Sequence, residues 1–120
     1  MRYMLLIYDD EKAWGKMSEP ERGAIFKQYG EFTTSIRASG AFLAGAPLQP
    51  TSTATTVRGK NGKTVTTDGP FAETKEQLGG YYLVEAKNLD EATALAARIP
   101  SVRVGGSVEV RPVMEMGPPK

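Results

Sequence analysis

Side chains able to transfer protons are concentrated between residues 68 and 81. Asp68, Lys75 and Tyr81 are the candidate catalytic groups, because a carboxylate, an amine and a phenol can act as acid or base once their pKa values are shifted. With Glu73 and Glu76, this segment brings opposite charges together within nine residues. Such a run is usually a solvated surface, yet loops carry binding and catalytic residues more often than cores do. Both interpretations stay open at this point.

The chain contains no His and no Cys, which excludes several kinds of chemistry. Ser-His-Asp and Cys-His nucleophilic sites are excluded, and so is a disulfide framework. The sequence also predicts no bound zinc, iron or haem, and no cofactor is expected. A magnesium or calcium site built from carboxylates stays open. Any acid–base chemistry therefore depends on carboxylates, Lys or Tyr.

A Gly-Pro pair follows Asp68 and predicts a turn. The residue before a proline is driven out of the helical region, and Gly69 relieves the crowding. Asp68 can then accept hydrogen bonds from N–H groups just downstream, with Phe71 anchoring the loop in the core. The alternative is that the turn aims Asp68 into a cleft, as a base or as a ligand contact.

A second polar group lies on the last predicted strand, where Glu109 and Arg111 alternate with two valines and so point to the same side. If the valines face the helices, this pair lies on the other face of the sheet. It is then either an ion pair that stabilises the subunit or its interface, or a patch that binds a small polar or anionic molecule. The candidate ligand-binding residues are Lys75, Tyr81, Glu85, Glu109 and Arg111.

The strands that must position these groups follow a recognisable order. They are predicted over residues 3–8, 41–48, 53–59, 64–67, 81–86 and 107–113. Asn61-Gly62 predicts a tight hairpin, because these residues tolerate the positive φ angles of a type I′ turn. The order is β-α-β, an inserted β-hairpin, then β-α-β. This order is typical of an α+β ferredoxin-like split β-α-β fold, here predicted as one domain over residues 1–116 with a mobile tail at 117–120.

Capping-box patterns predict where the two helices of this β-α-β order begin. Ser18 and Glu21 start the first helix, and Asn88 with Glu91 starts the second. The first helix buries Ile25, Tyr29, Phe32 and Ile36 on one face and ends at Gly40. The second buries Ala92, Leu95, Ala96 and Ile99 and stops before Pro100. Trp14 and the Met residues are predicted to fill the core or an interface.

Two helices can cover only one face of such a sheet, so the other face must meet water or a partner. Apolar residues are predicted on both faces of the central strands, Tyr81 and Leu83 among them, and a wholly solvated face is costly. A face-to-face homodimer, which closes two sheets into a barrel-like core of the dimeric α+β barrel type, is therefore predicted.

Charge and hydropathy limit the other partners. The net charge of +1 predicts no strong attraction to nucleic acid or to an anionic membrane. RNA-recognition domains share the split β-α-β order, but their basic aromatic motif is missing here. The apolar run at residues 3–8 is too short for a signal peptide core or a membrane span, so a cytoplasmic location is expected.

Residues 68–82 read DGPFAETKEQLGGYY and closely resemble the signature of the DGPF branch of the YCII-related proteins. The segments YMLLIY, LQP, TTVR and VEVRPV at residues 3–8, 48–50, 55–58 and 108–113 resemble the same family. The resemblance implies a ferredoxin-like α+β fold, a dimer with a cleft, and genomic company with extracytoplasmic-function sigma factors. It also implies a His-Asp pair in related proteins, which a chain without His cannot contain.

The predicted function is therefore a small-molecule-binding or accessory module linked to a sigma-factor-type transcriptional response. The alternative is a dimeric α+β barrel enzyme, an isomerase, lyase or cofactor-free oxygenase, that uses Asp68, Lys75, Tyr81 or Arg111. A ligand-sized cleft that holds a carboxylate or Lys with a shifted pKa would favour the enzyme.

Overall fold

A computed structural model describes residues 1–116 of the chain, and the predicted tail at 117–120 lies outside the described residues. The strands are β1 (Arg2–Asp9), β2 (Phe42–Pro47), β3 (Thr55–Lys60), β4 (Lys63–Asp68), β5 (Gln77–Glu85) and β6 (Ser107–Pro112). The α-helices are α1 (Glu11–Gly15), α2 (Glu19–Ala38) and α3 (Leu89–Ala97). Two 3₁₀ turns lie at Thr51–Thr53 and Pro100–Val104.

Four strands form an antiparallel sheet in the order β2-β5-β1-β6. The central strand β1 pairs with β5 from Arg2 to Asp9 and with β6 from Tyr3 to Tyr8. This order, with a hairpin inserted between β2 and β5, confirms the predicted ferredoxin-like α+β fold. The sheet is open, so the chain by itself is not a closed barrel.

The helices begin where the capping patterns predicted. Ser18 Oγ accepts from Glu21 N at 3.2 Å and the Glu21 carboxylate returns to Ser18, while Asn88 Oδ1 accepts from Glu91 N at 2.9 Å. These bonds satisfy N–H groups that a helix leaves open at its start. No helix among residues 1–116 has the length and apolarity needed to span a membrane.

The core lies between the two long helices and one face of the sheet. Buried residues alternate along β1 and β5, as expected for strands with one covered face. The members that carry most of the packing are Tyr3, Leu5, Ile7, Phe32, Ile36, Tyr82, Val84, Ala92, Ala96 and Ile99. The opposite sheet face, which we call the open face, presents Met4, Leu6, Tyr81 and Leu83 in register on β1 and β5. All four are only partly buried.

Strands β3 and β4 form a separate two-stranded sheet that we call the arm. Asn61 at φ 52° and Gly62 at φ 76° make its turn, as predicted. Almost every arm residue is exposed. The radius of gyration of 16.5 Å exceeds the value of about 14 Å expected for a compact chain of this length. The arm therefore extends the molecule rather than joining the core.

Strand β5 begins at Gln77, four residues before its predicted start. Gly80 pairs with Ile7 of β1 and with Pro47 of β2, and Gly79 is the extra residue of a β-bulge between the Ile7 and Tyr8 pairs. Leu48 N also donates to Gly79 O at 2.9 Å. The pairing of Gly80 with both neighbouring strands and the bond from Leu48 to Gly79 keep this segment in the sheet, which outweighs the weak intrinsic preference of glycine for strands.

The predicted anchoring of the loop by Phe71 is wrong, because 74% of that side chain is exposed. Within residues 1–116, no hydrogen bond to the Asp68 carboxylate is found. Three other bonds hold the turn: Gly69 N to Ala54 O at 2.7 Å, Thr56 Oγ1 to Gly69 O at 2.8 Å, and Arg58 to Phe71 O at 2.9 Å. The loop is thus held against the arm by hydrogen bonds to its own backbone, and not by burial of the Phe71 ring.

Two Phe→Ala variants should show that a core phenylalanine stabilises the fold and that the loop phenylalanine does not. Phe32 is 5% exposed and packs edge-on against Tyr82, so Phe32→Ala should lower the free energy of unfolding by about 3–5 kcal/mol. Phe71→Ala should change it by less than about 0.5 kcal/mol. Urea denaturation gives both values, and a loss above about 2 kcal/mol in Phe71→Ala would contradict the exposed position.

Candidate functional site

A cleft of about 780 Å³ opens between α2 and the β2–β5 edge of the sheet. Its size lies in the range that holds small-molecule ligands, and most of its wall is apolar. The aromatic residues of its lining include Trp14, Phe26, Tyr29, Phe42 and Tyr82. Its polar lining includes Asp9, Glu11, Thr33, Arg37, Gln49 and Ser101. The cleft is therefore the candidate functional site.

Asp9 lies in the cleft wall as the last residue of β1. Its Oδ2 accepts from Ser101 Oγ at 3.1 Å. A Cβ built on Gly106 would overlap Asp9 Oδ1, and one built on Gly79 would lie 3.5 Å from Asp9 Oδ2. Glycine at position 106 therefore leaves the room that this carboxyl group occupies.

The surroundings of Asp9 make its carboxyl group harder to ionise than an exposed one. Burial raises the pKa of the Asp9 carboxyl above its usual value, the hydrogen bond from Ser101 opposes that rise, and the negative charge of Glu76 adds to it. No cationic side chain pairs with Asp9 among residues 1–116. A carboxyl group of this kind can donate or accept a proton closer to neutral pH than an exposed one.

Tyr29 completes a chain of hydroxyl groups that ends on Asp9. Its Oη lies 2.5 Å from Ser101 Oγ. Because the single Ser101 proton is directed to the carboxylate, Tyr29 must donate to Ser101 when Asp9 is charged. Burial raises the pKa of Tyr29 to about 12, so the phenol keeps its proton at neutral pH. The order of donation is therefore Tyr29 to Ser101 to Asp9.

A second hydroxyl pair follows one turn further along α2. Thr33 Oγ1 donates to Tyr29 O at 2.9 Å, so the Tyr82 hydroxyl donates to Thr33 Oγ1 at 2.7 Å. The Tyr82 ring also packs edge-on against Phe32 at 5.3 Å between centroids. These contacts hold Thr33 and Tyr82 in position in the cleft wall and leave the cleft volume free.

The outer wall is built by α1 and the start of α2. Trp14 packs edge-on against Phe26 with ring centroids 5.5 Å apart. The Glu11 carboxylate accepts from the backbone N and the hydroxyl of Thr51, both at 2.8 Å, and Glu11 N donates to Gln77 Oε1 at 2.9 Å. Through these bonds Glu11 holds α1, which carries Trp14, against the segment that follows β2.

The structure places the sequence-predicted site residues mostly outside the cleft. Asp68 ends the arm and Lys75 lies in the following loop, both exposed. Tyr81 is in the cleft lining, and strand alternation directs its ring to the open face. Glu85 pairs with the N-terminal amine at 2.8 Å. The same-side prediction for Glu109 and Arg111 agrees with their mutual ion pair at β6.

The residues brought together in the cleft were missed as a site by the sequence reasoning. Asp9 stood out only as the first charge after an apolar strand, Tyr29 as part of a buried helix face, and Trp14 as filler. Ser101 follows a proline and carried no signal at all. The end of a central strand, where β1 meets the next turn, is the one feature that could have directed attention to Asp9.

The comparisons with known proteins agree with this architecture. The family model of the YCII-related domain matches residues 1–117. The chain belongs to the YCII-related family. It is also 38% identical over 114 residues to an uncharacterized protein of Rhizobium meliloti (strain 1021), covering 94% of this chain and 92% of that protein. In this YCII-related protein, which has no His, the cleft carboxyl group of Asp9 accepts from the hydroxyl of Ser101.

Replacing Asp9 by Asn should reveal the cost of its charge. The pKa of Asp9 is higher in the folded chain than in the unfolded one, so the native state loses stability as pH rises from about 3.9 through the raised folded pKa. Asp9→Asn lacks this loss and keeps an acceptor for Ser101. Its melting temperature should therefore exceed that of the wild type at pH 7, and the gap should shrink toward pH 4.

Asp68→Asn is the matched control, because Asp68 is exposed on the arm. Its melting temperature should stay close to that of the wild type, because replacing an exposed side chain changes stability little. Differential scanning calorimetry at several pH values measures both variants. An Asp9→Asn protein that is less stable than the wild type at pH 7 would show that the charged carboxylate stabilises the fold.

Proposed function

We propose that this YCII-related protein binds a small, largely apolar molecule in the cleft between α2 and the β2–β5 edge. The observation that carries the proposal is the cleft itself, with a volume of about 780 Å³, aromatic walls and one polar end. Binding removes the apolar surface of the cleft walls and of the ligand from water, which favours the complex. A few convergent polar groups fix the orientation of the ligand. Asp9, Ser101 and Tyr29 are the polar groups at that end.

The regulatory part of the proposal rests on the sequence resemblance to the DGPF branch. That resemblance implies genomic company with extracytoplasmic-function sigma factors, because the genes of such proteins often accompany sigma-factor genes. Ligand binding in the cleft would then report the presence of a small molecule to a transcriptional response. This extension is supported by the motif at residues 68–82, and the binding proposal stands without it.

Acid–base catalysis in the same cleft is the second candidate function. It is favoured by the hydroxyl chain from Tyr29 through Ser101 to Asp9, because the raised pKa of Asp9 suits a group that exchanges protons. If a bound molecule gives a proton to Tyr29 Oη while Tyr29 passes its own to Ser101 and Ser101 passes its own to the charged Asp9, the molecule is deprotonated and Asp9 becomes neutral. An enzyme of this kind would return a bound molecule chemically changed, whereas a binding module would return it unchanged.

A fluorescent apolar probe tests the binding proposal. N-phenyl-1-naphthylamine is uncharged and brightens in apolar surroundings, so it should bind the wild-type protein. Phe26 forms part of the cleft wall although 62% of the side chain is exposed. Phe26→Ala should therefore weaken the probe about threefold to tenfold, the effect of losing one aromatic contact.

Phe71→Ala is the matched control for this titration, since Phe71 is also exposed but lies outside the cleft. Its affinity for the probe should equal that of the wild type. No saturable binding, or equal weakening by the two variants, would overturn the cleft as the binding site. Unfolding curves of each variant show that the fold is intact in the titration.

We further propose that two copies pair through the open face. Met4 and Leu6 of β1 lie directly opposite Leu83 and Tyr81 of β5, which makes a patch of apolar side chains that no helix in the described part of the chain covers. Burying such a patch against its own copy removes it from water on both subunits. Two sheets facing each other would form the dimeric α+β barrel that one open sheet cannot.

Leu83→Asp should break this dimer. Two carboxylates would face an apolar interface without partners, so the dissociation constant should rise at least about a hundredfold. Leu89→Asp is the control, because Leu89 is an exposed leucine at the start of α3. Sedimentation at micromolar concentration should show dimers for the wild type and the control and monomers for Leu83→Asp. A monomeric wild type would refute the pairing.

A further inference from the structure

The cleft carries opposite charges along its length. Asp9 and Glu11 lie with Tyr29 toward one end, and Arg37 lies two turns further along α2. Eight residues of helix separate Tyr29 from Arg37, a rise of about 12 Å. An elongated molecule in the cleft would therefore meet hydroxyl and carboxyl groups at one end and a guanidinium group at the other.

Arg37 has its donors available for such a molecule. Its Cζ lies 4.1 Å from the centroid of the Phe42 ring, a cation–π stack that holds the guanidinium plane in the cleft wall. Among residues 1–116, no carboxylate forms an ion pair with Arg37. A stacked guanidinium still offers N–H groups at its edge, in the fork that matches a carboxylate or a sulfonate.

Gly30 directly follows Tyr29 in the middle of α2 and lies in the cleft lining on the side that leads toward Arg37. Glycine inside a helix is less favourable than alanine, so its presence there calls for a reason. A Cβ built on Gly30 meets nothing within 4 Å, so folding itself would tolerate a side chain at this position. The side chain would instead enter the cleft, which indicates that the missing atoms leave room for a ligand.

We propose that the cleft selects elongated aromatic anions, whose carboxylate or sulfonate pairs with Arg37 and whose rings lie across Gly30. The hydrogen-bonding group at the far end of the ligand would meet Tyr29, Ser101 and Asp9. The negative charges of Asp9 and Glu11 repel the anionic end of the ligand and so set its direction. This inference rests on the proposed binding function and names the class of molecule that it would serve.

Two dyes with the same ring system distinguish the contribution of the anionic charge to binding from that of the aromatic rings. 8-Anilinonaphthalene-1-sulfonate carries a sulfonate that N-phenyl-1-naphthylamine lacks. The wild-type protein should bind the sulfonate dye more tightly. In Arg37→Gln this advantage should fall about fivefold to tenfold, since a charge-assisted hydrogen bond is lost, while the affinity for the neutral dye should hold within about twofold.

Arg98→Gln is the matched control. Arg98 also stacks on a phenylalanine, with Cζ 5.3 Å from the Phe32 ring, but it is absent from the cleft lining. Its variant should keep the wild-type preference between the dyes. If Arg37→Gln also keeps that preference, the selection of anions is overturned while the cleft remains a binding site. If neither dye binds in a saturable manner, the proposed function fails and this inference fails with it.

A pair of glycine variants tests the role assigned to Gly30. Gly30→Ala and Gly23→Ala both replace an interior glycine of α2, so each should raise the melting temperature by about 2–5 °C. Gly23 is not in the cleft lining. Only Gly30→Ala should weaken the two dyes, about threefold or more, and Gly30→Leu should abolish their binding. Unchanged dye affinity in Gly30→Leu would overturn the placement of the rings.

Discussion

Two helices cannot cover both faces of a four-stranded sheet, and the main features of this protein follow from that limit. Helices α2 and α3 pack on one face, where Phe32 and Ile36 join the core. Toward the β2–β5 edge this cover is incomplete, and the space that remains is the cleft. No helix within residues 1–116 packs on the other face. One limit thus accounts for both the proposed ligand site and the proposed dimer surface.

The cleft combines apolar walls with a carboxyl group that has no cationic partner among residues 1–116. Burial of Asp9 is unfavourable for its charge, yet Gly106 leaves room for it and Ser101 donates to it. A half-buried carboxyl group with a single hydroxyl donor stabilises a fold little, because neutralising or removing the charge relieves desolvation. Such an arrangement is more typical of functional sites than of structural ion pairs.

Fold and site differ in how far they could be predicted from the sequence. Alternating apolar residues, two capping patterns and Asn61-Gly62 act locally, so they predicted the elements and their order. The cleft depends on residues from six elements that meet only after folding. Asp9 and Ser101 are 92 positions apart and show no shared local pattern. Phe71 misled for a related reason, because an aromatic side chain predicts burial only when its surroundings supply a core.

Amide chemical-shift mapping tests the central claim, that the cleft is where a small molecule binds. Addition of N-phenyl-1-naphthylamine to labelled protein should shift the backbone signals of Tyr29, Gly30 and Gly80, together with the single Trp14 indole signal, because all four residues line the cleft. Signals of Met4 and Leu83 on the open face should stay in place. Shifts confined to the open face, or to the arm, would contradict the account.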